Sequence, residues 1–552
     1  MTATSARNVA EGLREAAELR PQALAVLAPA GRDRAGRRAH THLTFAQLDQ
    51  ESDAVARGLV AVGVGPGVRT VLMVRPGLDF FVLTFALFKA GAVPVLVDPG
   101  LGIRNLGRCL REAAPGAFVG IPRAQAARTV LGWAKETLRI VVSVGSRWPG
   151  ARGLGEVARL GASGPPPMFE PEPGATAAIL FTSGSTGPPK GVVYTHEIFN
   201  AQVDLLRELY AIEPGEVDLC TFPLFALFAP ALGMTSVVPE MDATRPARVY
   251  PPRILEAIAD FGVTNLFGSP ALLRRVGEFG ALHAIRLPTL KRVVSAGAPV
   301  PARVLETFAG LLGPDARIHT PYGATEALPV CTIASDEILG ETRRATDRGA
   351  GVCVGRPVPG MRVEIIAVND GPIARWSDDL RVPKGTIGEI AVRGPVVTRS
   401  YFQRPEATEL AKVDDPLGGF WHRMGDLGYL DDQGRIWFCG RKSHRVITRN
   451  GTLYTIPCEA IFNTHPLVAR TALVGVGPAG SAIPVLCVEL LGPPKREDHP
   501  TIRRELLELG ASHPTTASIQ TILFHPAFPV DIRHNAKIFR EKLALWAARR
   551  LR

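Results

Sequence analysis

The stretch FTSGSTGPPKG, Phe181 to Gly191, gathers three glycines, four hydroxyl side chains and a lysine within eleven residues. Gly184 and Gly187 can take backbone conformations closed to other residues, which lets successive amides turn toward an anion. Thr182, Ser183, Ser185 and Thr186 add hydroxyl donors and Lys190 adds positive charge, a set suited to phosphate. It is not a Walker loop, which needs GxxxxGK followed by Ser or Thr, with the lysine opening a helix. Here Pro189 precedes the lysine and Gly191 follows it. A flexible Gly/Ser turn accounts equally well for these residues taken alone.

Further segments carry groups that could act beside a nucleotide. SAGAPVP, Ser295 to Pro301, offers small residues that permit close backbone approach to a flat ring, or a turn before a helix. YGATEA, Tyr322 to Ala327, puts an aromatic ring, a hydroxyl and a carboxylate within five residues; Glu326 could hold a hard cation or simply begin a helix. In RMGDLGYL, Asp426 is either a double acceptor suited to a vicinal diol or a turn aspartate bonding its own backbone. CGRKSHRV supplies Arg441, and FPVDIRHNAKIFREKL supplies Lys537, which could equally start a solvated helix.

Taken in this order, from about residue 40 to the end, the segments resemble those of the adenylate-forming superfamily: acyl-CoA synthetases, luciferases and peptide-synthetase adenylation domains. The resemblance implies ATP and Mg2+ as cofactors and a carboxylate attacking the α-phosphorus of ATP. It places Thr182, Ser183, Gly184, Ser185, Thr186, Gly187 and Lys190 on the phosphates. Ala296, Gly297, Ala298, Pro299, Tyr322, Gly323 and Ala324 flank adenine, and Asp426 and Arg441 hold ribose. Thr325 and Glu326 serve the α-phosphate and the metal, and Lys537 reaches the reacting carboxylate. Only ten of the 63 basic residues are lysines, and two of them, Lys190 and Lys537, fall on the superfamily's two lysine positions.

Several positions depart from the CoA-forming pattern. Ala226 stands where acyl-CoA synthetases usually carry histidine, Ser443 replaces a common acid or lysine after Arg441, and Asn535-Ala536 precedes Lys537. In these details the chain is most similar to the branch that forms β-lactones in bacterial long-chain olefin biosynthesis. That resemblance implies a 2-alkyl-3-hydroxy fatty acid substrate, closure by its own 3-hydroxyl, and a complex with other enzymes of the pathway. A long-chain fatty acyl-CoA ligase, a fatty acyl-AMP ligase and a non-catalytic acyl or nucleotide binder are the competing readings.

The elements that must position these groups follow from patterning. β-rich runs such as VRTVLMVRP and VPVLVDP alternate with helical runs such as LDFFVLTFALFKAG, which predicts an α/β fold with parallel-rich sheets. AAIL predicts a strand ending at Phe181. A small β unit is expected over 361–397, helices over 502–509 and from Lys537 onward, and a connecting loop over 161–175. The domains are expected at 1–440, binding ATP and acyl chain, and 441–552, a small mobile α+β lid, with the hinge near 441–443.

At 552 residues the chain exceeds one ordinary core, and 46% hydrophobic with 21% charged residues is globular usage. Its net charge of +11 is not gathered with interleaved aromatics, so no nucleic-acid partner is expected. Seven cysteines without a CxxC pair predict neither zinc nor disulfides. FFVLTFALF is cut short by Lys89, and uncharged 219–239 holds three prolines, which predicts a buried strand-loop-helix wall and no membrane insertion. The first residues lack a secretory pattern, and the cytoplasm is the expected location.

Overall fold

The computed structural model describes residues 7–32, 38–182, 188–222, 228–492, 498–530 and 538–551. Two seven-stranded, mostly parallel sheets form the larger part. One contains Leu24–Arg32, Arg38–Thr44, Val217–Leu219, Thr235–Val237, Asn265–Phe267, Arg292–Val294 and Arg317–His319. The other contains Arg69–Met73, Val93–Val97, Ala117–Gly120, Ile140–Ser143, Arg152–Gly153, Thr176–Thr182 and Lys190–Thr195. The alternation of apolar strand runs with helical runs is thus realised as βαβ units.

The helix Leu78–Lys89 is buried on nearly every side because it packs into the core shared by both sheets. That placement explains why its sequence shows no polar face. Lys89, which closes the helix, is enclosed too: its ammonium donates to Asp53 at 2.6 Å and Ser52 at 2.9 Å. No helix among the described residues is long and apolar enough to cross a membrane.

In the first sheet Ser236, Asp218, Asn265 and Arg292 stand side by side in register as a buried polar row. Among the described residues of 219–239 no helix longer than one turn forms. Between the strands Val217–Leu219 and Thr235–Val237 the described residues form one 3-10 turn, Pro230–Leu232, ended by Gly233 at φ 74°. Residues 223–227 of that wall, Ala226 included, lie outside the described residues.

A third sheet is antiparallel and larger than the β unit expected over 361–397. It joins Tyr322–Ala324, Ala327–Thr332, Val352–Pro357, Arg362–Ile366, Gly388–Arg393, Lys412–Asp414, Phe420–Leu430 and Ile436–Arg441. After Arg441 the chain makes a short 3-10 turn, Lys442–His444, and enters a smaller α+β part. There the strands Val468–Val476, Ile483–Leu490 and Thr521–Phe524 carry separate apolar clusters on their two faces. Helices Thr455–Phe462, His499–Ala511 and Arg540–Arg550 cover them. The second of these runs beyond the expected 502–509, with Pro500 in its first turn, where a missing N–H costs nothing. All seven cysteines are free and buried.

Candidate active site

The strand Thr176–Thr182 runs antiparallel to Lys190–Thr195, with Thr182 opposite Lys190. Lys190 therefore opens a strand and not the helix that a Walker lysine opens. Ser183, Gly184, Ser185, Thr186 and Gly187, and the side chain of Thr182, lie outside the described residues. So do Lys537 and the Asn535-Ala536 pair before it.

Glu326 sits at the turn between Tyr322–Ala324 and Ala327–Thr332, so it does not start a helix. Any side chain at Gly323 would strike the Ala327 carbonyl, which fixes how tightly this hairpin closes. The backbone is held from both sides. Tyr194 Oη donates to the Thr325 carbonyl at 2.6 Å, and Thr398 N and Oγ1 donate to the Glu326 carbonyl at 2.9 and 3.1 Å. Tyr401 Oη donates to Glu326 Oε1 at 2.7 Å. Among the described residues the other carboxylate oxygen receives no hydrogen bond, and no cluster of three or more metal-ligating side chains forms. One carboxylate fits a Mg2+ ion that takes most of its ligands from phosphate and water.

Two lysines flank this carboxylate. Lys190 Nζ lies 4.7 Å from the centre of the Tyr401 ring, and burial draws its pKa down while Glu326 opposes the shift. The Lys412 ammonium donates to the Thr398 carbonyl and lies 5.1 Å from the centre of the Phe420 ring. Burial brings its pKa down to about 7, again with Glu326 opposing. His422, fully enclosed nearby, is held well below its usual range by burial and by Lys412.

Asp426 is buried within the strand Phe420–Leu430, which rules out a turn aspartate. Tyr322 Oη donates to its Oδ2 at 2.7 Å, and Arg441 Nη1 lies 3.0 Å from its Oδ1 across the paired strand. Burial raises the Asp426 pKa, and Arg441 and Tyr322 offset it. Oδ1 nevertheless receives no aligned hydrogen bond. A buried acceptor in that condition is rare in folded proteins and fits a hydroxyl ligand.

Ala296, Gly297, Ala298 and Pro299 form the loop after Arg292–Val294, with Gly297 at φ 94°. Ser295 N donates to the His319 carbonyl at 2.9 Å, which ties this loop to the segment leading into Tyr322. Thr325 and Glu326 are neighbours in the chain, a hydrogen bond links Tyr322 with Asp426 and an ion pair links Asp426 with Arg441, while Lys190 meets Glu326 through Tyr401. Sequence reading missed Tyr401, Thr398, Tyr194 and Lys412. Only Lys412 carried a signal, being one of ten lysines in an arginine-rich chain.

Residues 13–402 match a family described as AMP-binding enzyme. Proteins named olefin beta-lactone synthetase from Stenotrophomonas maltophilia and Xanthomonas campestris pv. campestris are 53% and 51% identical to this chain. In each case 99% of this chain and 98% of the relative is covered. In three dimensions, ATP-bound MatB from Rhodopseudomonas palustris matches with a TM-score of 0.79 at 20% identity, covering 100% of both chains. Amide bond synthetase McbA from Marinactinospora thermotolerans matches with a TM-score of 0.78 at 24% identity, covering 98% of this chain and 99% of its own. Likenesses at such identity describe a shared fold.

Proposed function

Because this chain belongs to the AMP-binding enzyme family, we propose that it uses ATP to activate a 2-alkyl-3-hydroxy fatty acid and closes the product to a β-lactone. The observation that carries the reading is the near full-length identity, 53% and 51%, to two proteins named olefin beta-lactone synthetase. In the first step a carboxylate oxygen attacks the α-phosphorus and pyrophosphate leaves. In the second the substrate's 3-hydroxyl oxygen attacks the acyl carbon, the acyl-phosphate bond breaks, AMP leaves, and the hydroxyl proton passes to solvent. The second nucleophile is tethered to its target, so no second substrate site is required.

Asp426 accepts the ribose hydroxyls, with Tyr322 and Arg441 fixing the carboxylate. The loop at 296–299 and Tyr322 flank adenine. Glu326 would hold Mg2+, which lowers the repulsion among phosphate oxygens. Lys190 serves the phosphates, the 182–187 loop supplies amides, and Lys537 serves the reacting carboxylate; stabilising the developing charge needs no acid or base at the first step. The 441–552 part acts as a lid hinged near 441–443.

The test is incubation with ATP, Mg2+ and a 2-alkyl-3-hydroxy acid, with and without CoA, and identification of the product by NMR. A β-lactone formed equally in both arms is the expected result. A product that requires CoA, or an equal turnover of acids lacking the 3-hydroxyl, overturns the lactone reading.

A further inference from the structure

Charge is unevenly distributed along the chain. Residues 101–140 hold seven Lys/Arg against two Asp/Glu, so +5 of the net +11 falls in this short stretch. One of those two acids, Glu112, is consumed by a bidentate pair with Arg404 from outside the stretch, at 2.9 and 2.6 Å. The local excess is therefore larger at the surface than in the sequence.

The fold gathers this excess on one face. Helices Ile103–Ala113 and Pro122–Leu131 are successive crossovers that cover the same side of the second sheet. Leu106, Cys109, Leu110 and Ala113 of the first helix pack inward. Gly107 lies against Trp133, just beyond the second helix, so the two helices are neighbours. Outward, Arg104, Arg108 and Arg111 recur at i, i+4 and i+7 and form one exposed stripe, and Arg123 is exposed at the head of the second helix. None of these four makes an ion pair among the described residues, whereas most arginines of the third sheet do. Apolar side chains stand among them: Ile103 is 65% exposed and Val130 83% exposed.

We propose that this two-helix face docks on an anionic phospholipid surface. Clustered guanidinium groups gain from negative headgroups, and interspersed large aliphatic side chains gain from the acyl boundary beneath them, a combination that a purely charged partner does not reward. The inference does not depend on which acid the enzyme activates. It deepens the proposed function only in that a substrate with long alkyl chains resides in such a surface. Lipid contact here is peripheral, by side chains of helices already folded into the protein.

Flotation of the full chain with vesicles tests it. Binding is expected to vesicles of phosphatidylglycerol with phosphatidylcholine, to be absent from pure phosphatidylcholine, and to weaken as salt is raised. The variant R104E/R108E/R111E/R123E is expected to lose on the order of 100-fold in partitioning while retaining ATP–pyrophosphate exchange on a water-soluble acid. I103S/V130S is expected to lose several-fold at constant charge. Failure to bind anionic vesicles, equal binding by the charge-reversed variant, or retention by a DNA oligonucleotide in preference to vesicles each overturns the proposal. The exchange assay is independent of lipid, so failure of the catalytic reading shows there and leaves the vesicle result standing.

Discussion

Asp426 is the residue on which the proposed nucleotide site turns. It is stripped of water, held by Tyr322 at one oxygen and by Arg441 at the other, and still carries an unfilled acceptor. On the proposed reading, Asp426→Asn lowers kcat/KM for ATP by about 10- to 100-fold, the scale of one hydrogen bond to a charged group. Tyr322→Phe lowers it less, because the carboxylate keeps Arg441. Pyrophosphate exchange at varied ATP checks both, and wild-type kinetics in Asp426→Asn would remove the ribose assignment. Tyr322, Glu326, Asp426 and Arg441 were named in the sequence through short segments that resemble those of a known superfamily. Tyr401, Thr398 and Lys412 were not, because Tyr401 and Thr398 reach Glu326 from an irregular segment some 75 residues on in the chain, and Lys412 reaches Thr398, contacts no local spacing announces.

Between elements, the junction after Ile436–Arg441 decides how the smaller part meets the larger. Gly440 has φ 123°, and a Cβ there would collide with Thr455 Oγ1 at the start of the helix Thr455–Phe462. The strand that carries Arg441 and the helix that opens the small core therefore approach as closely as backbone allows. Gly440→Ala is expected to lower stability by about 1–3 kcal/mol through both strain and displacement of that helix, read as a drop in Tm. An unchanged Tm would show that the approach is slack. The 3-10 turn Lys442–His444 lies where the change from long strand to short segments is visible in the sequence, and the hinge proposed near 441–443 falls on it. Of the strand-loop-helix wall expected within 219–239, the described residues give the strands and one turn, Pro230–Leu232 ended by Gly233, and 223–227 lie outside them; uncharged apolar composition alone fits a buried strand and turn as well as a helix.

For the molecule as a whole, the polar row in the first sheet links stability to pH. Asp218 is buried beside Asn265, and burial pushes its carboxyl up to about 7, with the Asn265 hydrogen bond and Arg292 only partly offsetting. The native state then holds a proton that the unfolded chain releases at lower pH, so stability falls as pH rises toward 7 and levels off above it. Asp218→Asn removes this dependence. Between pH 5 and 8 the wild type is expected to lose on the order of 2 kcal/mol relative to the variant, measured as the difference between their unfolding curves. Parallel curves would place the ordinary acidic pKa on Asp218. The α/β architecture was legible from alternating runs, while this row was not, since its members come from four strands far apart in the chain.

The seven enclosed thiols give this architecture a chemical voice of its own. Cys109, Cys220, Cys331, Cys353 and Cys439 belong to the larger part, Cys458 and Cys487 to the smaller, and each is sealed in the native fold. A sulfhydryl reagent in solution finds nothing to modify until one of the two parts opens. The identity of the first sulfur alkylated then names the part that gave way.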